Sequence, residues 1–284
     1  MTDGKGTGGV YAVVGGVGGA GATRLSVEFA AALARDGRDT LVVDASFTTQ
    51  GLAALVPDRL DPDVTRVVTD DRPLAEAAAT LPLETSGTVT VAPALAPFER
   101  LARAKTSECA RRLAERLSTA SDRYDAVFVD VPPVGANQAV AAVTAADAVA
   151  LVVPDSERGA DAVPRLCDRL ADVDADVDTV VANRADAEDT TVGAANVAVP
   201  ESETTALSAA PVTAGASPPR PGVLGIGDGL PPTVTASGRR LRPPPTVGQP
   251  LGRVRTQPVA PPREERLRLD RREVHVPGWA GSDM

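Results

Sequence analysis

Apolar segments alternate with amphipathic segments along the first 183 residues of the chain. Runs typical of buried strands occupy residues 10–16, 39–44, 88–92, 125–130, 148–153 and, as the last of them, 178–182. Between these runs, apolar side chains recur at helical spacing over residues 22–36, 98–118, 136–145 and 157–171. Strands that alternate with helices pair in parallel, because each helix provides the crossover between two strands. The pattern therefore predicts an α/β fold with a doubly wound, mostly parallel sheet.

The alternating pattern ends near residue 210. Beyond it proline, glycine, threonine and arginine dominate, and no apolar periodicity lasts for two helical turns. We therefore expect one folded domain over residues 1–210. We expect residues 211–284 to be a Pro/Gly/Arg-rich linker and tail that is largely disordered.

Composition changes this picture mainly through charge. The 284 residues carry a formal net charge of −9, and Lys5 and Lys105 are the only lysines. Abundant aspartate with scarce lysine resembles the proteins of salt-loving archaea, whose acidic surfaces stay hydrated. Residues 221–284 carry +4, from ten arginines against six acidic residues, which leaves −13 for residues 1–220. An acidic body is a poor electrostatic partner for DNA or an anionic membrane surface, so we expect protein partners, bound through the tail. The arginines of the tail leave DNA or a membrane surface open as alternative partners.

Cysteine usage and apolar run lengths disfavour several other classes of protein. Cys109 and Cys167 have no C-x-x-C or histidine neighbour, which favours isolated buried thiols over a metal site or a disulfide. Residues 1–9 are polar and glycine-rich, and no apolar run approaches the roughly 20 residues that a membrane span requires. The sequence therefore predicts a cytoplasmic protein.

A glycine-rich loop joins the first predicted strand to the first predicted helix, with the sequence Gly15-Gly16-Val17-Gly18-Gly19-Ala20-Gly21-Ala22-Thr23. Such a loop turns backbone N–H groups toward an anion, and the helix dipole favours negative charge at the same place. The P-loop pattern G-x-x-x-x-G-K-[ST] adds a lysine for the phosphates and a hydroxyl for Mg²⁺. Here the two end glycines and the threonine are kept, but alanine stands at the lysine position.

The loop resembles that of the ParA/MinD family of deviant P-loop ATPases, which reads K-G-G-x-G-K-[ST]. Residues 17–23 align with it, so Val17 and Ala22 replace both lysines. Residues 41–46 are similar to the switch strand V-D-x-D of the family, with Asp44 kept and Ser46 in place of the second acid.

Two further elements follow in family order. Residues 124–133 match the family element Y-D-x-h-h-h-D-x-P-P, where h is hydrophobic, and they place Asp130 at its second aspartate. The pair Asn183-Arg184 matches the N-R that contacts adenine in relatives. Four elements in the same order indicate the P-loop NTPase fold of this family.

The resemblance implies ATP or ADP and Mg²⁺ as ligands. The nucleotide contacts would be made by Gly16, Gly18, Gly19, Ala20, Gly21, Ala22, Thr23, Asn183 and Arg184. The metal ligands would be Thr23, Asp44 and Asp130. Arg24 lies one residue beyond the threonine, about 100° around the helix, so we expect it on the surface rather than in place of a lysine.

Activity is the least determined property, because both lysines and the second switch acid are replaced. Removing one electrostatic contact to a transferring phosphoryl group costs roughly 10²–10³ in rate, so no catalytic residue is assigned. Two hypotheses stay open. The first is a degenerate regulator or scaffold in spatial positioning or partitioning. The second is an active ATPase of the same family, in chromosome or plasmid partitioning or in the placement of division or cell-surface machinery, whose missing charge is supplied in trans. Either could act as a homodimer. The related dethiobiotin synthetase and cobyrinate amidation enzymes fit less well, because they also need the loop lysine.

Overall fold

A single eight-stranded sheet organises the described part of the chain. The structure, a computed structural model, describes residues 8–56, 61–185, 189–204 and 206–211. The strands are β1 (Gly9–Gly15), β2 (Thr40–Asp44), β3 (Ala79–Thr80), β4 (Val89–Ala92), β5 (Ala126–Val131), β6 (Ala148–Pro154), β7 (Thr179–Asn183) and β8 (Val197–Val199). Their order across the sheet is β3-β4-β2-β5-β1-β6-β7-β8. Every pairing is parallel except that of β3 with β4.

Helices cover both faces of this sheet. They are α1 (Ala22–Arg35), α2 (Val64–Thr69), α3 (Phe98–Ala104), α4 (Ser107–Ser121), α5 (Asn137–Thr144) and α6 (Glu157–Ala171). Alternate residues of β1 belong to different apolar clusters. Val10 and Val14 pack with residues of α4, α5 and α6, whereas Tyr11 and Val13 pack with α1. A sheet that is buried on both faces confirms the predicted doubly wound, mostly parallel fold.

The structure corrects the sequence prediction over residues 98–118 and adds three short elements, α2, β3 and β8. Residues 98–118 were expected to form one helix but form α3 and α4, because Thr106 has extended backbone geometry and its hydroxyl accepts a hydrogen bond from the Cys109 amide at 3.4 Å. This is the arrangement of a helix N-cap. The short elements α2 and β3 were not predicted, and β8 follows the segment that was expected to be the last strand.

Several other predictions concern the cysteines, the membrane and the tail. Both cysteines are free thiols, Cys109 buried and Cys167 only half-buried. Among the described residues, no helix combines the length and the apolar character that crossing a membrane would take. The predicted tail from residue 212 onward, with its basic segment, lies outside the described residues.

Candidate functional site

The carboxyl ends of the central parallel strands meet at one edge of the sheet. There β1 leads into the glycine loop, β2 ends at Asp44, β5 carries Asp130 and β7 ends at Asn183. Ligands of open α/β sheets bind at this edge, where the strand order reverses. A cavity of about 780 Å³ opens at the same place, and residues of the glycine loop form much of its wall. The topology therefore brings most of the predicted site residues together.

The glycine loop curves around an open space. The Gly16 amide anchors the start of the loop by donating to the Val152 carbonyl at 2.8 Å, and the Ala20 amide donates to the Val17 carbonyl at 3.1 Å. Gly21 has a φ of 94°, which favours glycine, and a Cβ there would lie 2.2 Å from Nδ2 of Asn183.

Backbone donors of the loop and of the first turn of α1 remain available for a ligand. Within the described part of the chain, the amides of Gly18, Gly19, Ala22 and Thr23 donate no hydrogen bond to another backbone group. Unpaired N–H groups at a helix N-terminus, with the helix dipole behind them, form a binding place for an anionic group. The loop therefore keeps the backbone part of a phosphate site.

Thr23 and Asp130 form a ready pair of oxygen ligands. The Thr23 hydroxyl donates to Oδ2 of Asp130 at 2.7 Å, and both residues line the cavity. Burial raises the pKa of Asp130 to about 6, and the hydrogen bond from Thr23 partly offsets this by lowering it. Mg²⁺ prefers oxygen ligands, and P-loop proteins hold it with a hydroxyl of the loop and an aspartate on a neighbouring strand. These two residues fit such an ion.

Asp44 lies beside Asp130 on the adjacent strand but is not part of the described cavity wall. The two aspartates are register partners in the pairing of β2 with β5, and Asp44 is fully buried. Its carboxyl oxygens accept hydrogen bonds from the amides of Ser46 at 2.8 Å and Ala94 at 3.4 Å. Burial, and then the charge of Asp130, raise the pKa of Asp44. Asp44 therefore holds neighbouring backbone, and its ligation of Mg²⁺ stays a prediction.

The three replaced positions all line the cavity, and none of them brings charge to it. Val17 and Ala22 are aliphatic members of the wall, and Ala22 is only 8% exposed. Ser46 also lines the cavity, and its hydroxyl lies 2.8 Å from the hydroxyl of Thr49. These two hydroxyls are neutral, so the phosphate end of the cavity offers backbone amides and hydroxyls instead of lysine side chains.

Asn183 and Arg184 support the glycine loop. The Asn183 amide group donates to the Ala20 carbonyl at 2.8 Å, and its side-chain oxygen accepts from the Arg184 amide at 3.0 Å. Arg184 has a φ of 60°, and its guanidinium donates to the Gly19 carbonyl at 3.3 Å. Both residues also line the cavity. Their contact with the adenine base stays a prediction.

Other wall residues were not predicted. Residues 199–204 and 206–207, here named the return segment, begin at the last residue of β8, and six of them line the cavity. Arg24 and Glu28 also line it, and the prediction that Arg24 is a surface residue is wrong, because its side chain is only 18% exposed. The i, i+4 spacing of Arg24 and Glu28 is the sequence signal for an ion pair on one helix. No local pattern predicts where the return segment lies.

The fold and this loop define the chain as an α/β protein with the P-loop NTPase fold. A family model described as an AAA domain matches residues 9–182, more than half of the chain. The chain belongs to this AAA domain family. No match is found among curated proteins.

Solved structures with the same fold include ATPases of the MinD and ParA kinds. The cell division ATPase MinD of Pyrococcus furiosus is 22% identical with a TM-score of 0.59, covering 69% of this chain and 84% of its own. A ParA family ATPase from Chlorobium tepidum is 20% identical with a TM-score of 0.59, covering 69% and 85%. A cobyrinic acid a,c-diamide synthase from Mycobacterium smegmatis, with bound ADP and magnesium, is 23% identical with a TM-score of 0.53, covering 65% and 78%. At these identities the likeness shows the fold.

Proposed function

We propose that this protein binds an adenine nucleotide with Mg²⁺ in the cavity at the glycine loop, and hydrolyses ATP weakly or not at all. The observation that carries the proposal is the contrast within one site. The Thr23–Asp130 pair is in place for a metal ion and the loop amides are open, whereas Val17 and Ala22 present aliphatic groups at the lysine positions.

The two halves of this contrast have different consequences. Backbone amides and the helix dipole contribute to binding a phosphate group in any state. Hydrolysis needs more, because charge that develops on the transferred phosphoryl group must be stabilised, and each lost contact of that kind costs roughly 10²–10³ in rate. Two lost lysines and the lost second switch acid therefore reduce hydrolysis far more than binding.

Each residue has a defined task when a nucleotide is present. Thr23 and Asp130 would hold Mg²⁺, which would supply positive charge to the phosphates. The amides of Gly18, Gly19 and Ala22 would donate to the phosphates. Asp44 keeps its backbone contacts to the segment that begins at Ser46 and so fixes one side of the cavity.

We further propose that the protein is a regulator or scaffold in spatial positioning or partitioning. The structural neighbours include a cell division ATPase, a ParA family ATPase and McdA in complex with ATP. A chain with this fold that keeps its nucleotide bound suits such a role. The nucleotide-bound protein would form a homodimer, and the homodimer would recruit protein partners through the tail. We place this role in the cytoplasm of a salt-adapted cell, which rests on the sequence alone.

Calorimetry with ATP and ADP tests the proposal, in multimolar KCl with Mg²⁺. We expect binding of both nucleotides, and we expect Thr23→Val to weaken it chiefly in the presence of Mg²⁺, because valine keeps the shape of threonine without its hydroxyl. Absence of binding to the wild-type protein would refute the proposed function. Phosphate release measured alongside distinguishes the alternative, since robust turnover that Asp130→Ala abolishes would establish an active ATPase.

A further inference from the structure

The guanidinium of Arg24 has an unsatisfied donor in the wall of the cavity. Its Nε contacts Oε1 of Glu28 at 3.2 Å, and its Nη1 donates to the Ala206 carbonyl at 3.5 Å. The remaining nitrogen, Nη2, is buried and has no hydrogen-bond partner within the described residues. Arg24 lines the cavity together with Glu28. One donor of a permanently charged group in the cavity wall therefore has no acceptor among the described residues.

An unpaired donor of this kind is unfavourable by itself. Removing a charged N–H group from water without a hydrogen bond costs more than leaving a neutral donor unpaired. Guanidinium groups bind phosphate oxygens well, because their planar fork of N–H donors matches the geometry of the anion. A phosphate oxygen in the cavity would supply the missing acceptor once a turn of the Arg24 side chain brings Nη2 to the cavity surface.

The position of Arg24 selects which phosphate it would meet. The Thr23–Asp130 pair marks the place of Mg²⁺ and the terminal phosphates. Arg24 is the next residue, about 100° around α1. It contacts the return segment at Ala206, and the neighbouring Leu207 also lines the cavity. Its side chain thus contacts the return segment and not the Thr23–Asp130 pair, which favours a phosphate other than the terminal one.

We propose that Arg24 binds the α-phosphate of the nucleotide and supplies positive charge that the loop has lost with its lysines. This inference rests on the proposed function, nucleotide binding at the glycine loop. Glu28, which is 5% exposed, balances the charge of Arg24 when no phosphate is near. The α-phosphate is common to ATP and ADP and undergoes no reaction. Arg24 therefore contributes to the affinity for both nucleotides but does not accelerate hydrolysis.

Calorimetry with ATP, ADP and adenosine on the full chain tests this assignment. Arg24→Ala is expected to weaken ATP and ADP by the same factor, about 10- to 100-fold, as for a charge-assisted hydrogen bond, and to leave any binding of adenosine unchanged. Arg24→Gln keeps most of the side-chain length and serves if the alanine variant does not fold. Arg111→Ala is the matched control, because Arg111 forms an i, i+4 pair with Glu115 on the distant helix α4.

Glu28→Gln separates ligand binding from a structural role. Glutamine retains an acceptor for Nε of Arg24 but removes the competing negative charge, so phosphate binding is expected to be equal or tighter. If Glu28→Gln weakens binding as much as Arg24→Ala, the pair only supports the fold and the inference is overturned.

The remaining outcomes are equally decisive. Wild-type binding with an unchanged Arg24→Ala variant overturns the inference and leaves the proposed function standing. A larger loss for ATP than for ADP assigns Arg24 to the terminal phosphate and overturns the α-phosphate assignment. A wild-type protein that binds neither nucleotide refutes the proposed function, and the inference with it.

Discussion

The buried pair Asp44 and Asp130 predicts that the free energy of unfolding falls as the pH rises. Burial raises the pKa of Asp44 to about 8 and that of Asp130 to about 6, from an ordinary value of 3.8. The folded protein therefore keeps protons that the unfolded chain has already released. A group whose pKa is raised in this way makes the folded state progressively less stable between its unfolded and folded pKa values.

The size of the effect follows from one proton. Between about pH 6 and about pH 8 the unfolded carboxyls are ionised, whereas Asp44 in the folded protein is largely protonated. One proton corresponds to ~1.4 kcal/mol per pH unit, and the change levels off near the folded pKa, so the free energy of unfolding falls by about 2 kcal/mol over this range. The asparagine introduced by Asp44→Asn does not titrate, and Asp130, with a pKa of about 6, completes only the upper half of its titration within this range, so the curve of this variant is expected to fall much less than that of the wild type.

Guanidinium denaturation in EDTA measures these curves. Multimolar KCl screens the exposed charges, so the difference between the two proteins isolates the buried group. Asp147→Asn is the matched control, because Asp147 also accepts a backbone hydrogen bond, from the Val10 amide at 2.8 Å. We expect this control to keep the wild-type slope. If the wild-type and Asp44→Asn curves run parallel from about pH 6 to about pH 8, the buried pair does not hold a proton and the reasoning is wrong.

Three further predictions concern the glycine loop. Gly21→Ala is expected to lower the free energy of unfolding by about 1–3 kcal/mol in guanidinium denaturation, because residue 21 has a positive φ and its added methyl would meet Asn183. Gly18→Ala is the control and is expected to change the free energy of unfolding little, because the space around its added methyl is open. Equal effects of the two substitutions would contradict this prediction. Asn183→Ala removes the hydrogen bond to the Ala20 carbonyl and should cost about 0.5–1.5 kcal/mol in the same assay, and no loss would show that this bond does not hold the loop. Ala22→Lys restores a loop lysine and should tighten ATP binding about tenfold or more in calorimetry; unchanged affinity would show that position 22 does not face the phosphates.

The sequence predicts most of the fold because its long elements carry strong patterns. The helix expected over residues 157–171 is observed as Glu157–Ala171, and the strand expected over 125–130 is observed as Ala126–Val131. The helix α2 and the strand β8 are too short to show a period. The break before α4 depends on the capping hydroxyl of Thr106, and a single threonine inside a helical pattern gives no clear signal of a cap.

The site was predictable to the extent that it follows motifs. Thr23 and Asp130 are brought together as their motifs imply, since the ends of β1 and β5 are adjacent. Arg24 was misjudged because its angle on the helix was compared with the phosphates alone. The cavity extends beyond the part formed by the glycine loop, because the return segment adds to its wall beside Arg24. The position of the return segment depends on tertiary structure and has no local sequence signal.

A single-turnover measurement tests the central claim most directly. The protein, in excess over labelled ATP, is incubated with Mg²⁺ in multimolar KCl, and the bound nucleotide is recovered and separated into ATP and ADP over time. The account predicts nucleotide that is bound and remains ATP for many times longer than a turnover of a typical ATPase, with binding lost in Asp130→Ala. Rapid conversion of the bound ATP to ADP would contradict the account, and so would the absence of bound nucleotide.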